Sequence, residues 1–340
     1  MTNIATPNVD SRKQEMNKFT VLINKGGIYV VVLMLLVIGF LASDKFITLK
    51  NFSSITQAIS LIGICAVGNA FIVYSANFND MSIPMIISTA GMIAVQMIQY
   101  GFVISIISGV VVGTALGLVN GLMMGKFRAH PIIWTMAFNY VLSGIVRWIW
   151  SGKQIYPDVV AGSNVKAMEA ANTFFSISRR DVMGIPLMVV VMVIMFIAGQ
   201  FVLTRTRYGN QLKIIGSNYE VARLSGINCV KNIFITYLIS AFCASVSGIF
   251  IASMAKTGAY SNGDGYDFLT VTAVLLGGMT LAGGKGNLIG VFGGVLAVGM
   301  LSNIMTLVGI STFNQWLVKG LMFLFIVWLN TNSSRKLGRT

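Results

Sequence analysis

The 340-residue sequence is poor in charge. Only 10% of its residues are Asp, Glu, Lys or Arg, where soluble domains carry about 25%. With 55% hydrophobic residues and a mean hydropathy of +0.79, that shortage excludes a water-soluble globular chain and leaves lipid as the solvent. Acids are the scarcer sign, ten against 24 bases. Carriers driven by protons or sodium usually bury carboxylates in the membrane, and the apolar runs hold none well inside; Asp80, at the border of one, is the single candidate. His130 is the only histidine, with no Cys or carboxylate near it in sequence, so neither a metal site nor histidine acid–base chemistry is indicated. Cys65, Cys229 and Cys243 lie far apart without a CxxC spacing, and read as reduced packing residues. No nucleophile–base pair or carboxylate dyad is visible. The formal charge of +14 comes from short loops with no basic tract longer than a pair and no interleaved aromatics. Nucleic acid is therefore not the expected partner, and the positive-inside bias of membrane proteins accounts for the charge.

The sequence is rich in long uncharged runs. Residues Met1–Lys25 form a polar leader without a small-residue cleavage site, and the apolar chain follows. Spans are expected at Gly26–Ser43, Ser53–Ala76, two within Met81–Gly125 divided near Tyr100, Pro131–Trp148, Val182–Thr204, Asn232–Ala255, Phe268–Gly284, Asn287–Gly309 and Thr312–Asn330. The expected fold class is thus an all-α integral membrane protein of about ten transmembrane helices. It is organised as leader 1–25, a single transmembrane domain 26–330 and a basic tail 331–340. Ser151–Asp181 is the longest extramembrane segment, with a surface helix expected over Asn164–Phe175. With both termini inside, the cytoplasmic face carries fifteen bases and four acids and the outer face eight bases and six acids. That asymmetry predicts an N-in, C-in topology.

One hydrophilic island, Arg205–Lys231, interrupts the second half. It holds five bases and a single acid, Glu220. Ser217 or Asn218 can cap a short helix there, Glu220 suits its positive end, and Gly226 stands where it would stop. A capped helix on a basic cytoplasmic loop suits docking of a soluble partner, and the plainer alternative is a loop that only sets topology. The glycine-rich stretch Gly277–Asn287 looks at first like a phosphate loop. It fails the GxxxxGK[ST] pattern, because Met279 stands five before Gly284 and Gly286 follows Lys285, so the chain offers no ATP site of its own. A tight inner turn with glycines at positive φ is expected instead. Gly290, Gly293, Gly294 and Gly299 then read as close helix packing.

The polar groups inside the runs are mostly amides. Gln57, Asn69, Asn139 and Asn303, with Asp80 and Ser82, are the candidates for a solute pathway, and helix–helix hydrogen bonding is the competing reading for each amide. Lys319 in the last run is read as snorkelling or paired, with a pore role as the lesser alternative.

Two stretches carry a resemblance. Tyr208–Ile227, YGNQLKIIGSNYEVARLSGI, resembles the cytoplasmic coupling segment of permeases in bacterial ABC sugar importers of the ribose, xylose, arabinose and autoinducer-2 branch. Gly277–Gly290, GGMTLAGGKGNLIG, is similar to the same permeases' GGxSLxGGxGxxxG. That family's GGIDLSVG stands here as NFNDMSIP, Asn77–Pro84, which keeps Asp80 and Ser82 without the glycines. The resemblance implies a multi-pass permease of the bacterial inner membrane that pairs with a second permease subunit, identical or related. No cofactor is expected in the chain itself. A cytoplasmic ATP-binding subunit would hold the ATP, and an extracytoplasmic binding protein would deliver a small polar solute, a monosaccharide in the first instance and a nucleoside in the alternative. Gly216, Asn218, Glu220, Ala222, Arg223, Leu224 and Gly226 would couple the chain to the ATPase. A self-sufficient ion-coupled carrier is the rival.

Overall fold

The structure, a computed structural model, describes residues 27–182 and 184–336; the leader and residues 337–340 lie outside that range. The chain is helical almost throughout. Among the described residues, seven helices are long and apolar enough to cross a membrane and three further apolar helices are shorter, which together account for the ten expected runs. In order they are α1 (Ile28–Ala42), α2 (Leu49–Tyr74), α3 (Ile83–Gln96), α4 (Phe102–Gly125) and α5 (Pro131–Ile149). The outer segment folds into α6 (Pro157–Ala161) and α7 (Val165–Ile177), and then come α8 (Leu187–Arg205), α9 (Arg207–Ser217) and α10 (Tyr219–Leu224). α11 (Cys229–Ala255), α12 (Tyr266–Leu276), α13 (Leu288–Leu307) and α14 (Thr312–Lys336) complete the chain. The only strands among the described residues are two-residue pieces, Asp181–Val182 and Ile185–Pro186, paired antiparallel.

α11 is the hub and packs against α2, α3 and α4. In lipid there is no hydrophobic drive between helices, so close backbone approach and hydrogen bonds hold them together. α4 supplies the approach with a glycine every fourth residue: Gly109, Gly113, Gly117, Gly121 and Gly125 form one stripe. A Cβ at Gly117 would stand 2.9 Å from the Tyr237 carbonyl, at Gly121 3.0 Å from that of Phe234, and at Gly125 2.8 Å from that of Val230. The glycines of α13 behave as expected: Gly299 meets Ile59 of α2, Gly293 meets Ile28 of α1, and Gly294 meets the Ala273 backbone.

Two places depart from simple spans. The expected eighth span, Phe268–Gly284, is really the 11-residue α12, about 16 Å long and roughly half of a ~30 Å hydrocarbon core. It stops because Gly277 lies against Gly290 and Val291 of α13, with a built Cβ 2.5 Å from the Val291 Cα, and because Gly278 turns the chain at φ +87°. Before it, Lys256–Gly265 is not helical and folds back between the helices. Gly263 donates its amide to Ser88 Oγ at 3.0 Å and touches the Pro84 backbone. The second departure is the entry to α3, where Asn77–Asp80 has no helix and Asp80 is fully buried rather than at a cytoplasmic border. An interrupted span and a buried acid, where the sequence was expected to hold uninterrupted spans and no carboxylate well inside them, are therefore present.

The loops sort into two clusters. Arg128 stacks on Tyr219 at 4.2 Å, and Gly284 donates its amide to the Tyr74 carbonyl at 2.8 Å, which gathers the ends of α2 and α4, the island and the glycine loop at one face. At the other, Ile155 and Gly258 exchange backbone hydrogen bonds of 2.9 and 2.8 Å, and Arg147 stacks on Tyr260. α7 covers this second face, capped by Asn164 and burying Ala167, Ala170, Ala171 and Phe174, so the expected surface helix is anchored along one side. The partition matches the grouping of loops from which the charge bias was counted.

Candidate functional site

The island is a pair of helices. Thr206 caps α9 by accepting from the Gly209 amide at 3.2 Å, a helix that sequence reading missed although Thr206 was a legible cap. The expected short helix is α10. Asn218 accepts from the Val221 amide at 3.1 Å. Gly226 ends the unit in the left-handed region at φ +76°, donating to the Arg223 carbonyl at 3.1 Å, while Ile227 donates to that of Ala222 at 3.1 Å. Both ends are thus closed locally, by a residue that accepts at the N-terminus and a glycine free to take positive φ at the other.

Charge and shape then divide α10 into two sides. Glu220, in its first turn, accepts from Arg223 Nε at 2.9 Å, and Arg128 stands 3.8 Å away from its other oxygen. These side chains are more than half exposed, so the pairs position the loops without adding much stability. Ala222 is wholly buried with Ile215, Cys229 and Ile233. Leu224 faces out, 81% exposed, and Val221 51% exposed. Val221 and Leu224 thus present a hydrophobic edge on a basic loop, at the end of the bundle that gathers α2, α4 and the glycine loop.

The base of this helix pair is wired into the bundle at Gly216. A Cβ there would collide with the Tyr74 carbonyl and stand 2.6 Å from the Gly284 amide. Gly283 (φ +78°) touches Ala76 and the Gly216 carbonyl, and Gly284 (φ +67°) touches Lys213 and Ser217. The two motifs singled out in the sequence are therefore one contact: the glycine loop is a cradle for the end of α9, and both rest on the end of α2. Gly277–Asn287 is the tight turn expected, with Gly278, Gly283, Gly284 and Gly286 all at positive φ.

The membrane amides separate into two kinds. Asn303 pairs reciprocally with Asn51 of α2, at 2.8 and 3.2 Å, and Gln57 donates to Ser53 at 3.3 Å; both are bonded within the bundle. Asn69, Asp80 and Ser82 gather where α3 and α12 begin. Asp80 Oδ1 accepts from the Ser82 amide and hydroxyl at 2.9 and 2.5 Å, Ser82 accepts from Asn120 at 2.7 Å, and Asn120 accepts from the Trp134 indole at 3.0 Å. Asn69 donates to Thr270 at 3.1 Å, Thr270 donates to the Tyr266 carbonyl at 2.6 Å, and Asn79 donates to the Asp267 carbonyl at 3.4 Å. Among the described residues, Asn69 Oδ1, Asp80 Oδ2 and Asn139 Oδ1 have no hydrogen-bond partner. Asn69, Asp80 and Ser82 are fully buried inside the chain, whereas Asn139 sits on the sparsely packed α5.

Residues 51–327 match the family described as branched-chain amino acid transport system / permease component. The chain is similar to the ribose import permease protein of Escherichia coli, with 30% identity over 302 residues, 88% of this chain and 91% of the relative. It is similar to the ribose import permease protein of Bacillus subtilis, 28% identical over 324 residues (95% and 97%). It is also similar to the L-arabinose transport system permease protein of Escherichia coli, 28% identical over 309 residues (88% of each). No solved structure matches.

Proposed function

The chain belongs to the branched-chain amino acid transport system / permease component family, and from that premise we propose that it is the translocation subunit of an ATP-driven importer for a monosaccharide. It is a multi-pass membrane transport subunit rather than an enzyme. ATP is bound and hydrolysed by a separate cytoplasmic subunit, solute arrives from an extracytoplasmic binding protein at the face covered by α7, and a second permease subunit completes the pathway. The observation that carries the reading is the α9–α10 unit: capped at both ends, outward at Val221 and Leu224, and seated through Gly216 on α2 and the glycine loop. Such a unit transmits a push, since its base has backbone-to-backbone contact with no flexible side chain between. Gly216, Asn218, Glu220, Ala222, Arg223, Leu224 and Gly226 divide this work among seating, capping, charge positioning and contact. The sugar class rests on the permeases named for ribose and arabinose.

Affinity purification in gentle detergent, followed by an ATPase assay and uptake of D-ribose and L-arabinose, tests the proposal. The expected result is a co-purifying ATPase whose solute-stimulated hydrolysis disappears in the Glu220→Arg, Gly226→Pro double variant. A chain that purifies alone and moves sugar down an ion gradient overturns it.

A further inference from the structure

Lys319 lies in the apolar part of α14, and among the described residues it makes no hydrogen bond and no ion pair. It lines a cavity of about 420 Å³ between α12 and α14, whose other walls include Asp264, Gly265, Phe268, Trp316 and Phe323. The cavity sits where the non-helical return ends and α12 starts. That point lies beside the buried polar cluster, because Asn79 donates to the Asp267 carbonyl and Gly263 abuts Pro84. Gly265, at φ +83°, is pressed by the Trp316 ring, which a Cβ would meet at 3.0 Å. Phe268 and Phe323 contact edge to face at 5.5 Å.

We propose that this cavity is a solute station, in which a polyhydroxylated ring lies against Trp316 and Phe268 while Asp264 accepts from, and Lys319 donates to, its hydroxyls. The inference rests on the monosaccharide reading and assigns residues to it. Charged side chains at membrane depth face a water-filled cavity or one another and mark solute paths, and membrane binding sites form where a span is interrupted. Lys319 on α14 meets the first condition and the non-helical return before α12 meets the second, on independent elements. A lipid tail would leave the Lys319 ammonium without a partner. A sugar instead offers hydroxyls that both donate and accept, and C–H faces that suit aromatic rings. The volume falls within the ~300–1,000 Å³ of small-molecule sites, mostly apolar with a few polar groups.

The test uses the full transporter in proteoliposomes carrying Phe268→Cys. The native cysteines are buried, so a water-soluble thiol reagent should report the introduced one. Labelling should slow in D-ribose or L-arabinose by the factor 1 + [L]/Kd, roughly tenfold at ten times Kd, and not in sucrose. Adding Lys319→Met should abolish the protection. A Lys319→Met transporter with an otherwise intact sequence should assemble with its ATPase yet lose uptake, which keeps the test open if the cysteine variant fails to fold. No labelling, or labelling that sugar does not slow, in a transporter that imports either sugar overturns this site alone. If the unaltered transporter imports neither, the monosaccharide reading fails and the site falls with it.

Discussion

Gly216→Ala places one methyl group between two backbones. Its Cβ would strike the Tyr74 carbonyl and stand 2.6 Å from the Gly284 amide, the acceptor and donor of a 2.8 Å hydrogen bond. No rotamer change relieves that clash, so α9 has to lift from α2. Overpacking of this kind costs about 1–3 kcal/mol, and stretching the hydrogen bond adds about 1 kcal/mol. Gly226→Ala is the natural comparison: nothing lies within 4 Å of a Cβ there, and only the φ of +76° resists the side chain, a strain of about 1 kcal/mol. Thermal unfolding in detergent should therefore fall clearly further for Gly216→Ala. In the assembled transporter, solute-stimulated ATP hydrolysis should drop while ATPase binding persists, because the outward face of α10 is untouched. Equal effects of the two alanines would refute the claim that the seat, rather than the helix end, carries the mechanical load.

Two further outcomes follow from local contacts. Asn218→Ala removes the cap on Val221 and should destabilise α10 by about 1 kcal/mol, read as faster hydrogen exchange at the Val221 amide; unchanged exchange would remove Asn218 from the capping role. Asn303→Leu strands the buried Asn51 amide oxygen and should lower stability by about 1–3 kcal/mol. Adding Asn51→Leu should return part of that loss in a thermal melt, and an additive loss would argue against the amide pair.

What could be read from the sequence was what is local. α10 announced itself because Asn218 and Gly226 act on neighbours a few residues away. The glycine loop did so because its glycines around Lys285 fail the phosphate-loop pattern and suit a tight turn at positive φ. The charge bias between loops follows from composition alone, and the fold class from the uncharged runs. The five glycines of α4, one every fourth residue, carried the same local close-packing signal, which the span assignment passed over. The interrupted spans were not legible: Phe268–Gly284 is uncharged, so hydropathy reads it as one helix, and what stops it is Gly277 meeting Gly290 of another helix. Asp80 looked peripheral since no sequence signal shows Ser82, Asn120 and Trp134 enclosing it. Asn303 could not be sorted from Asn69 either, as their partners Asn51 and Thr270 are far away in the chain.

Leu224 is the residue proposed to touch the ATPase. A Leu224→Cys variant tests it directly, because Leu224 is exposed and Cys65, Cys229 and Cys243 are buried. Treated in membranes with a short thiol-to-amine crosslinker, it should join covalently to the ATP-binding subunit. Val308→Cys, exposed in the turn between α13 and α14, should not. Crosslinking through Val308→Cys with none through Leu224→Cys would contradict the account.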